Sequence, residues 1–306
     1  MDIGCERWEK VSLLQMVWEA TGEAVKMQEL RWYGKVLPKD LTDVKIIVLS
    51  DLHYGNPYCS VKHFLRARDF IRGNNDVYCF LNGDLCESVI KTSKGEIYKQ
   101  VGSPDDQKHQ VVDWLLPIQD RILGMTTGNH ENRIYEVAGT DISGYIAERL
   151  NIPYRPEGML FKLSFGGGNN GHADKPFVFW SYITHGYGGA RTKSAKAVKA
   201  ERISNSIYGD WYAMSHDHVV NVAPDIYLMP DNRGTIDKDG FLSGKVTAHR
   251  EMLIKTNSFL KWGGYAEMGG FPPSDLATPV INLLTPQSKQ WELYPERPHQ
   301  AVKVSV

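Results

Sequence analysis

A chain of 306 residues is long enough for one large domain with a buried core, or for a catalytic domain with a small appendage. Hydrophobic residues at 42% and charged residues at 23% are ordinary for a soluble globular protein, and a formal net charge of -1 gives no argument for or against a nucleic-acid partner. Four cysteines (Cys5, Cys59, Cys79 and Cys86) with no CxxC pair exclude a disulfide scaffold and fit a reducing compartment. The N-terminus lacks the apolar stretch of a secretory signal, and apolar runs such as Val44 to Leu49 are too short to cross a bilayer. The expectation is a cytoplasmic protein with no membrane partner.

In chain order, Leu13 to Leu30 predicts a helix within an N-terminal extension, residues 1–43, that packs on the core. The β-branched run Val44 to Ser50 predicts a central strand that ends at Asp51. Val61 to Arg72 predicts an amphipathic helix stopped at Gly73, and Asp76 to Leu81 a second strand closed by Asn82-Gly83-Asp84. The polar stretch Lys91 to Gln110 reads as a mobile surface excursion. Val111 to Ile118 carries a helical pattern interrupted by Pro117, and Ile122 to Thr127 a third strand that runs into Gly128-Asn129-His130-Glu131. Asp141 to Leu150 predicts a helix. Met159 to Phe165 and Phe177 to Thr184 predict two strands, joined by the turn-rich stretch Gly166 to Lys175, and the second ends at His185-Gly186. Ala190 to Ile203 has helix composition with many cations, and Trp211 to Met214 is a short strand before Ser215-His216-Asp217-His218. Beyond Val219 further strands are expected, with turns at Asp231-Asn232-Arg233-Gly234 and Lys238-Asp239-Gly240, and the tail from Pro286 has no strong pattern. Residues 44–306 read as one α/β domain, in which 219–306 completes a second sheet or forms a small cap.

Five short segments share a feature: each follows a predicted strand and ends it with metal-capable side chains. They hold Asp51 and His53, Asp84, Asn129 with His130, His185, and His216 with His218. Open α/β sheets bind ligands at the carboxyl ends of their strands, so these segments are expected to converge. In extended backbone, residues i and i+2 point the same way, which predicts a shared face for Asp51 and His53 and for His216 and His218. Mixed oxygen and imidazole donors suit manganese, iron, zinc or nickel better than magnesium or calcium. Seven candidates are too many for one ion and suit two that share a carboxylate at a typical separation of ~3.5–4 Å. Such a centre keeps a net positive charge after Asp51, Asp84 and a bridging hydroxide are counted, and phosphate fits it.

This ordered set resembles the calcineurin-like metallophosphoesterases, over residues 44 to 218, in a stand-alone or phage-type layout. The resemblance implies a four-layer α/β/β/α sandwich with two mixed β-sheets. It implies that Asp51, His53 and His218 hold one metal, that Asn129, His185 and His216 hold the other, and that Asp84 bridges. It gives His130 the role of leaving-group acid or transition-state stabiliser. The default metals are manganese or iron, with zinc or nickel next. Two departures stand out: Ser215 and Asp217 replace the family's usual glycine and threonine in the last motif, and Leu85-Cys86-Glu87 follows Gly83-Asp84.

The function expected is hydrolysis of phosphate esters by a metal-bridging hydroxide, with phosphodiesters favoured and nucleic acid or a nucleotide as candidate substrate. The alternatives are a phosphomonoesterase acting on nucleotides, small molecules or phosphoproteins, and a catalytically silent metal-binding scaffold. Arg133, Arg191 and Lys193 are candidate substrate contacts. Lys193, Lys196, Lys199 and Arg202 share one helical face, which reads equally as a groove edge or a solvated surface.

Overall fold

The structure, a computed structural model, describes residues 31–38, 41, 43–91, 93, 97–165, 177–190, 192–268, 270, 272–273, 275–285, 288 and 301–306. The helix predicted over Leu13 to Leu30, the joining stretch Gly166 to Lys175 and the side chains of Arg191 and Lys193 lie outside the described residues. The chain divides into two units, Met1–Arg31 and Trp32–Val306, and the second is described here.

Its first sheet has the order β11-β10-β2-β3-β4, and its second β1-β5-β6-β7-β9-β8. The strands are β1 (Tyr33–Leu37), β2 (Asp43–Leu49), β3 (Val77–Asn82), β4 (Ile122–Thr126), β5 (Met159–Phe165), β6 (Phe177–Thr184), β7 (Trp211–Met214), β8 (Asn221–Ile236), β9 (Leu242–Lys255), β10 (Val280–Leu284) and β11 (Val302–Ser305). Strands β2, β3 and β4 run parallel and β10 antiparallel, while β6, β7 and β9 run parallel and β5 and β8 antiparallel, so both sheets are mixed. The helices are α1 (Val61–Gly73), α2 (Pro104–Leu115), α3 (Asn129–Ala138), α4 (Ile142–Arg149), α5 (Lys193–Ser204) and the single turn α6 (Tyr265–Met268).

Strand periodicity explains the layers. In β2 and β3, Val44, Ile46, Val48, Tyr78 and Phe80 face one core, and Ile47, Leu49, Cys79 and Leu81 face another. The first core lies between the sheets, where Phe80 meets Phe161 and Trp211 from the second sheet at ring-centroid distances of 5.1 and 6.1 Å. The second core is roofed by α1, α2 and α4. A smaller cluster, Ala200 with Tyr212 and Leu253, seats α5 on the outer face of the second sheet. The result is the four-layer α/β/β/α sandwich.

Several expectations need correction. The stretch Lys91 to Gln110 is not simply an excursion: α2 begins at Pro104, closed by a capping box in which Asp106 and Ser103 satisfy each other's backbone N–H groups. Gln107 is fully buried, and its Oε1 accepts from the Ser88 N–H, so this helix braces the chain that follows Asp84. Asp231 to Gly234 is no turn but a register shift inside β8, whereas Lys238-Asp239-Gly240 does turn the β8–β9 hairpin. The patternless tail contains β11, an edge strand too short to show a period, and Tyr33–Leu37 in the predicted extension is the edge strand of the second sheet. Among the described residues, no helix is long and apolar enough to cross a membrane.

Candidate metal centre

The carboxyl ends of β2, β3 and β4 in one sheet and of β6 and β7 in the other meet at one edge of the sandwich. The turns that leave them are built by close backbone approach. A Cβ on Gly83 would sit 2.4 Å from the Gly128 nitrogen, and one on Gly128 would sit 2.1 Å from Asp84 Oδ1. Only glycine at both positions lets the second and third motifs touch. Asn82, at the end of β3, ties the sheets together. Its Nδ2 donates to the Thr184 carbonyl and to Ser215 Oγ, and its Oδ1 accepts from Thr126 Oγ1. The departure Ser215 is thereby explained, since its buried hydroxyl also accepts from Thr256 Oγ1 at 2.8 Å.

The backbone reasoning behind the predicted pairs is corrected. Asp51, His53, Asp84, His216 and His218 are not extended but left-handed, with φ of 49°, 51°, 50°, 70° and 54°. Of the seven non-glycine residues with positive φ among those described, five are these candidates. That conformation costs an L-residue ~1–2 kcal/mol, and such strain persists where surrounding structure enforces it, typically at functional sites. Sharp turns, rather than alternation along a strand, aim the side chains inward.

The seven residues Asp51, His53, Asp84, Asn129, His185, His216 and His218 converge, with His130 beside them. Each carboxylate has one oxygen fixed by backbone and one facing the centre. Asp84 Oδ1 accepts from the His130 N–H at 2.8 Å, while Oδ2 lies 3.2 Å from His185 Nε2 and 3.9 Å from His53 Nε2. Asp51 Oδ2 accepts from the His216 N–H at 3.2 Å. Asp51 Oδ1 is buried without a well-formed hydrogen bond, although His218 Nε2 is 3.1 Å away.

The imidazoles follow the same plan. His53 Nδ1 donates to Glu87, His185 Nδ1 to the Asn82 carbonyl and His216 Nε2 to the Gly188 carbonyl, at 3.1, 2.7 and 2.7 Å. Each ring therefore has its other nitrogen free for the centre. His53 Nε2 and His218 Nε2 approach to 3.1 Å, and His216 Nδ1 and His185 Nε2 lie 2.8 and 3.3 Å from Asn129 Oδ1. Nitrogens crowding nitrogens, and a buried orphaned carboxylate oxygen, are what a ligand shell shows when a cation belongs between its members. The donors fall into two groups able to hold an ion, Asp51–His53–His218 and Asp84–His185–His216, with a third, His53–Asp84–His130, between them.

The electrostatics agree. Burial alone would lower the His53 imidazole, but the Glu87 bond and the Asp84 charge raise it to about 9. Burial is likewise outweighed at His185, which Asp84 raises to about 10. Asp51 would be raised by burial but is pulled down to about 2, chiefly by His218. Without metal, the site holds protons where cations would sit. His130 differs: burial lowers it to about 4, and its Nδ1 donates to the Glu87 carbonyl at 2.9 Å, which leaves Nε2 on the cavity side.

Two clefts flank the cluster. One, with a cavity of about 160 Å³, is lined by His53, Asp84, His130, His216 and His218 together with Gly188, Lys196 and Trp262. The other is lined by Asn129 and His185 with Asn132, Tyr135, Tyr154 and Pro156. Arg133 is half-buried one helical turn beyond His130, and no carboxylate pairs with it among the described residues.

The ligand order and the two-sheet sandwich are now both in view. The fold is the four-layer sandwich of two mixed sheets that the resemblance to calcineurin-like metallophosphoesterases implied. No family model matches the chain, and no curated protein does. Solved structures similar to this chain include a predicted phosphoesterase from Streptococcus pneumoniae TIGR4, 13% identical, covering 79% of this chain and 84% of its own, at a TM-score of 0.34. Vps29 complexed with zinc, from Entamoeba histolytica, is 10% identical and covers 86% of this chain and 97% of its own, at a TM-score of 0.32. The Haemophilus influenzae NAD nucleotidase is 9% identical and covers 86% of this chain and 49% of its own, at a TM-score of 0.37. At such identities the chemistry of this chain rests on its own residues.

Sequence reasoning missed Glu87, Glu131 and Asn82. Glu87 stands four residues from the Gly83 turn and orients His53. Glu131 closes the second motif by accepting from the Asp84 and Cys86 N–H groups at 3.0 and 2.9 Å; burial and the nearby Asp84 charge push it up to about 7. Its place next to His130 was visible, but its target, 47 residues upstream, was not.

Proposed function

We propose that this protein is a dinuclear-metal phosphoric ester hydrolase with a preference for phosphodiesters. The observation that carries this reading is the convergence of nitrogen and oxygen donors in two adjoining groups, Asp51–His53–His218 and Asp84–His185–His216, with His130 alongside. In this reading Asp51, His53 and His218 hold one ion, Asn129, His185 and His216 the other, and Asp84 both. Manganese or iron suits the mixed donors best, followed by zinc and nickel. When bound, such ions supply Lewis acidity at phosphoryl oxygens and a water made nucleophilic near neutral pH.

The chain's own residues do the rest. Glu87, the Asn82 carbonyl and the Gly188 carbonyl lock three rings in the required tautomer. His130 Nδ1 is committed to the Glu87 carbonyl, so Nε2 is the atom that meets substrate. Because burial holds this ring neutral, the negative charge of the phosphoryl group is what raises it. With its affinity so raised, Nε2 takes up a proton from solvent and passes that proton to the departing oxygen, which returns the ring to its neutral Nδ1–H form. Clefts on both flanks favour a diester, which has a substituent for each. The intact donor set with His130 favours an enzyme over a silent scaffold.

The manganese-loaded protein is assayed against bis-p-nitrophenyl phosphate, p-nitrophenyl phosphate, and single- and double-stranded DNA. Hydrolysis of the diester is expected. Activity on the monoester alone overturns the diester preference, and no hydrolysis of any ester overturns the enzyme. His130→Ala is expected to retain its metals and lose roughly 10²–10⁴-fold in turnover.

A further inference from the structure

The cations of the stretch 191–202 do not simply form a solvated face. Lys196 and Lys199 are 3% and 8% exposed and turn inward onto Asp217. Lys199 Nζ donates to Asp217 Oδ1 at 2.7 Å, and Lys255 Nζ, from the end of β9, donates to Oδ2 at 2.7 Å and to the Ser215 carbonyl at 3.0 Å. Two ammonium groups thus occupy the two oxygens of the Asp217 carboxylate. Lys196 Nζ is left with the Asp217 carbonyl at 2.8 Å, which takes one of its three protons.

Lys199 and Lys255 share the Asp217 carboxylate, and Asp51 adds its charge at Lys255, whereas among the described residues Lys196 Nζ meets no carboxylate oxygen within hydrogen-bond distance. A buried charge without a partner is costly, and folded proteins supply one. Asp51, which acts on Lys255, is engaged by the His216 N–H, and Glu87 by His53. Lys196 lines the same cavity as His53, Asp84, His130, His216 and His218, and it is the ammonium of the three that does so. Its remaining donors therefore meet whatever enters.

We infer that Lys196 is a substrate-binding residue that receives a second anionic group, a phosphate one linkage from the scissile phosphorus. This inference rests on the phosphoesterase reading. The substrate class it names is a phosphate ester that carries a neighbouring phosphate, supplied by a nucleic-acid strand or by a nucleoside polyphosphate. Asp217, where the related motif has threonine, is the positioning residue: it holds the lysine cluster against the turn that carries His216 and His218.

The test compares kcat/KM of the manganese-loaded protein for a thymidine dinucleotide with and without a 5′-phosphate, for a nucleoside diphosphate, and for bis-p-nitrophenyl phosphate. A charge-assisted contact predicts an advantage of roughly ten-fold or more for a substrate with the neighbouring phosphate. Lys196→Met, matched in length, should erase that advantage, and Lys196→Arg should retain part of it. A gain confined to the dinucleotide points to a strand, and a gain confined to the diphosphate points to a nucleoside polyphosphate. If Lys196→Met fails to fold, the wild-type comparison decides alone. Equal kcat/KM with and without the second phosphate overturns the inference, as does an equal loss in Lys196→Met on every substrate. Failure of the wild type to cleave any of these substrates would instead remove the phosphoesterase reading beneath it.

Discussion

At the scale of single residues, the site is governed by which nitrogen of each ring is committed elsewhere. His53 is free to present Nε2 because Glu87 accepts from Nδ1. Glu87→Gln keeps the shape but replaces a charged acceptor with an amide, and outer partners of this kind are worth roughly 10–100-fold in metal affinity. A manganese titration of that variant should show a loss of that size, and unchanged affinity would remove Glu87 from the account. The ring charges also predict a pH dependence. His53 and His185 are raised from 6.5 to about 9 and about 10. A raised group stabilises the folded state fully below its unfolded value and loses that contribution as pH climbs through the folded one. The metal-free protein should therefore lose melting temperature between pH 6.5 and 10, whereas the metal-loaded protein, whose rings stay neutral with one N–H each, should be spared that loss. Parallel melts with chelator and with manganese would reveal it. The candidate donors and their order were legible in the sequence, because each stands beside a strand end. Glu87, Asn82 and the lysines on Asp217 were not, because their partners lie far away in the chain and only the fold sets the distance. Lys255 and Asp217, for example, are 38 positions apart.

At the scale of elements, strands with a clear period were readable. The runs predicted at Met159 to Phe165 and Phe177 to Thr184 coincide with β5 and β6, and Asp141, placed at the head of a predicted helix, caps α4 through the Gly144 N–H. The start of α2 was hidden by polarity, although Ser103-Pro104-Asp105-Asp106 is a helix start in its own right. Edge strands β1 and β11, four or five residues long, give too few repeats of a two-residue period. The turns were legible as turns but not in their conformation, since left-handed aspartate and histidine are rare and the cost is met only by tertiary packing. The glycine pair at Gly83 and Gly128 makes a testable point about that packing. Gly128→Ala would thrust a methyl group to 2.1 Å from Asp84 Oδ1 and 2.2 Å from the Asp84 nitrogen. It should destabilise the protein by roughly 1–3 kcal/mol in a denaturant melt, with metal content reduced in step. A variant of wild-type stability and full metal content would show that this close approach is not needed.

At the scale of the molecule, the centre exists because two sheets end at the same edge. Asp51, Asp84 and Asn129 belong to the first sheet and its loops, His185, His216 and His218 to the second, and Asn82 bridges them. Neither sheet carries a complete donor set, so the site depends on the whole sandwich and on the aromatic core around Phe80 that holds its layers together. The sharing of Asp84 between two ions is the central claim, and metal stoichiometry after equilibrium dialysis tests it most directly. Elemental analysis should give two manganese or iron ions per wild-type chain, and Asp84→Ala should lose occupancy at both positions. A wild type that binds no metal, or an Asp84→Ala variant that still binds two, would contradict the account.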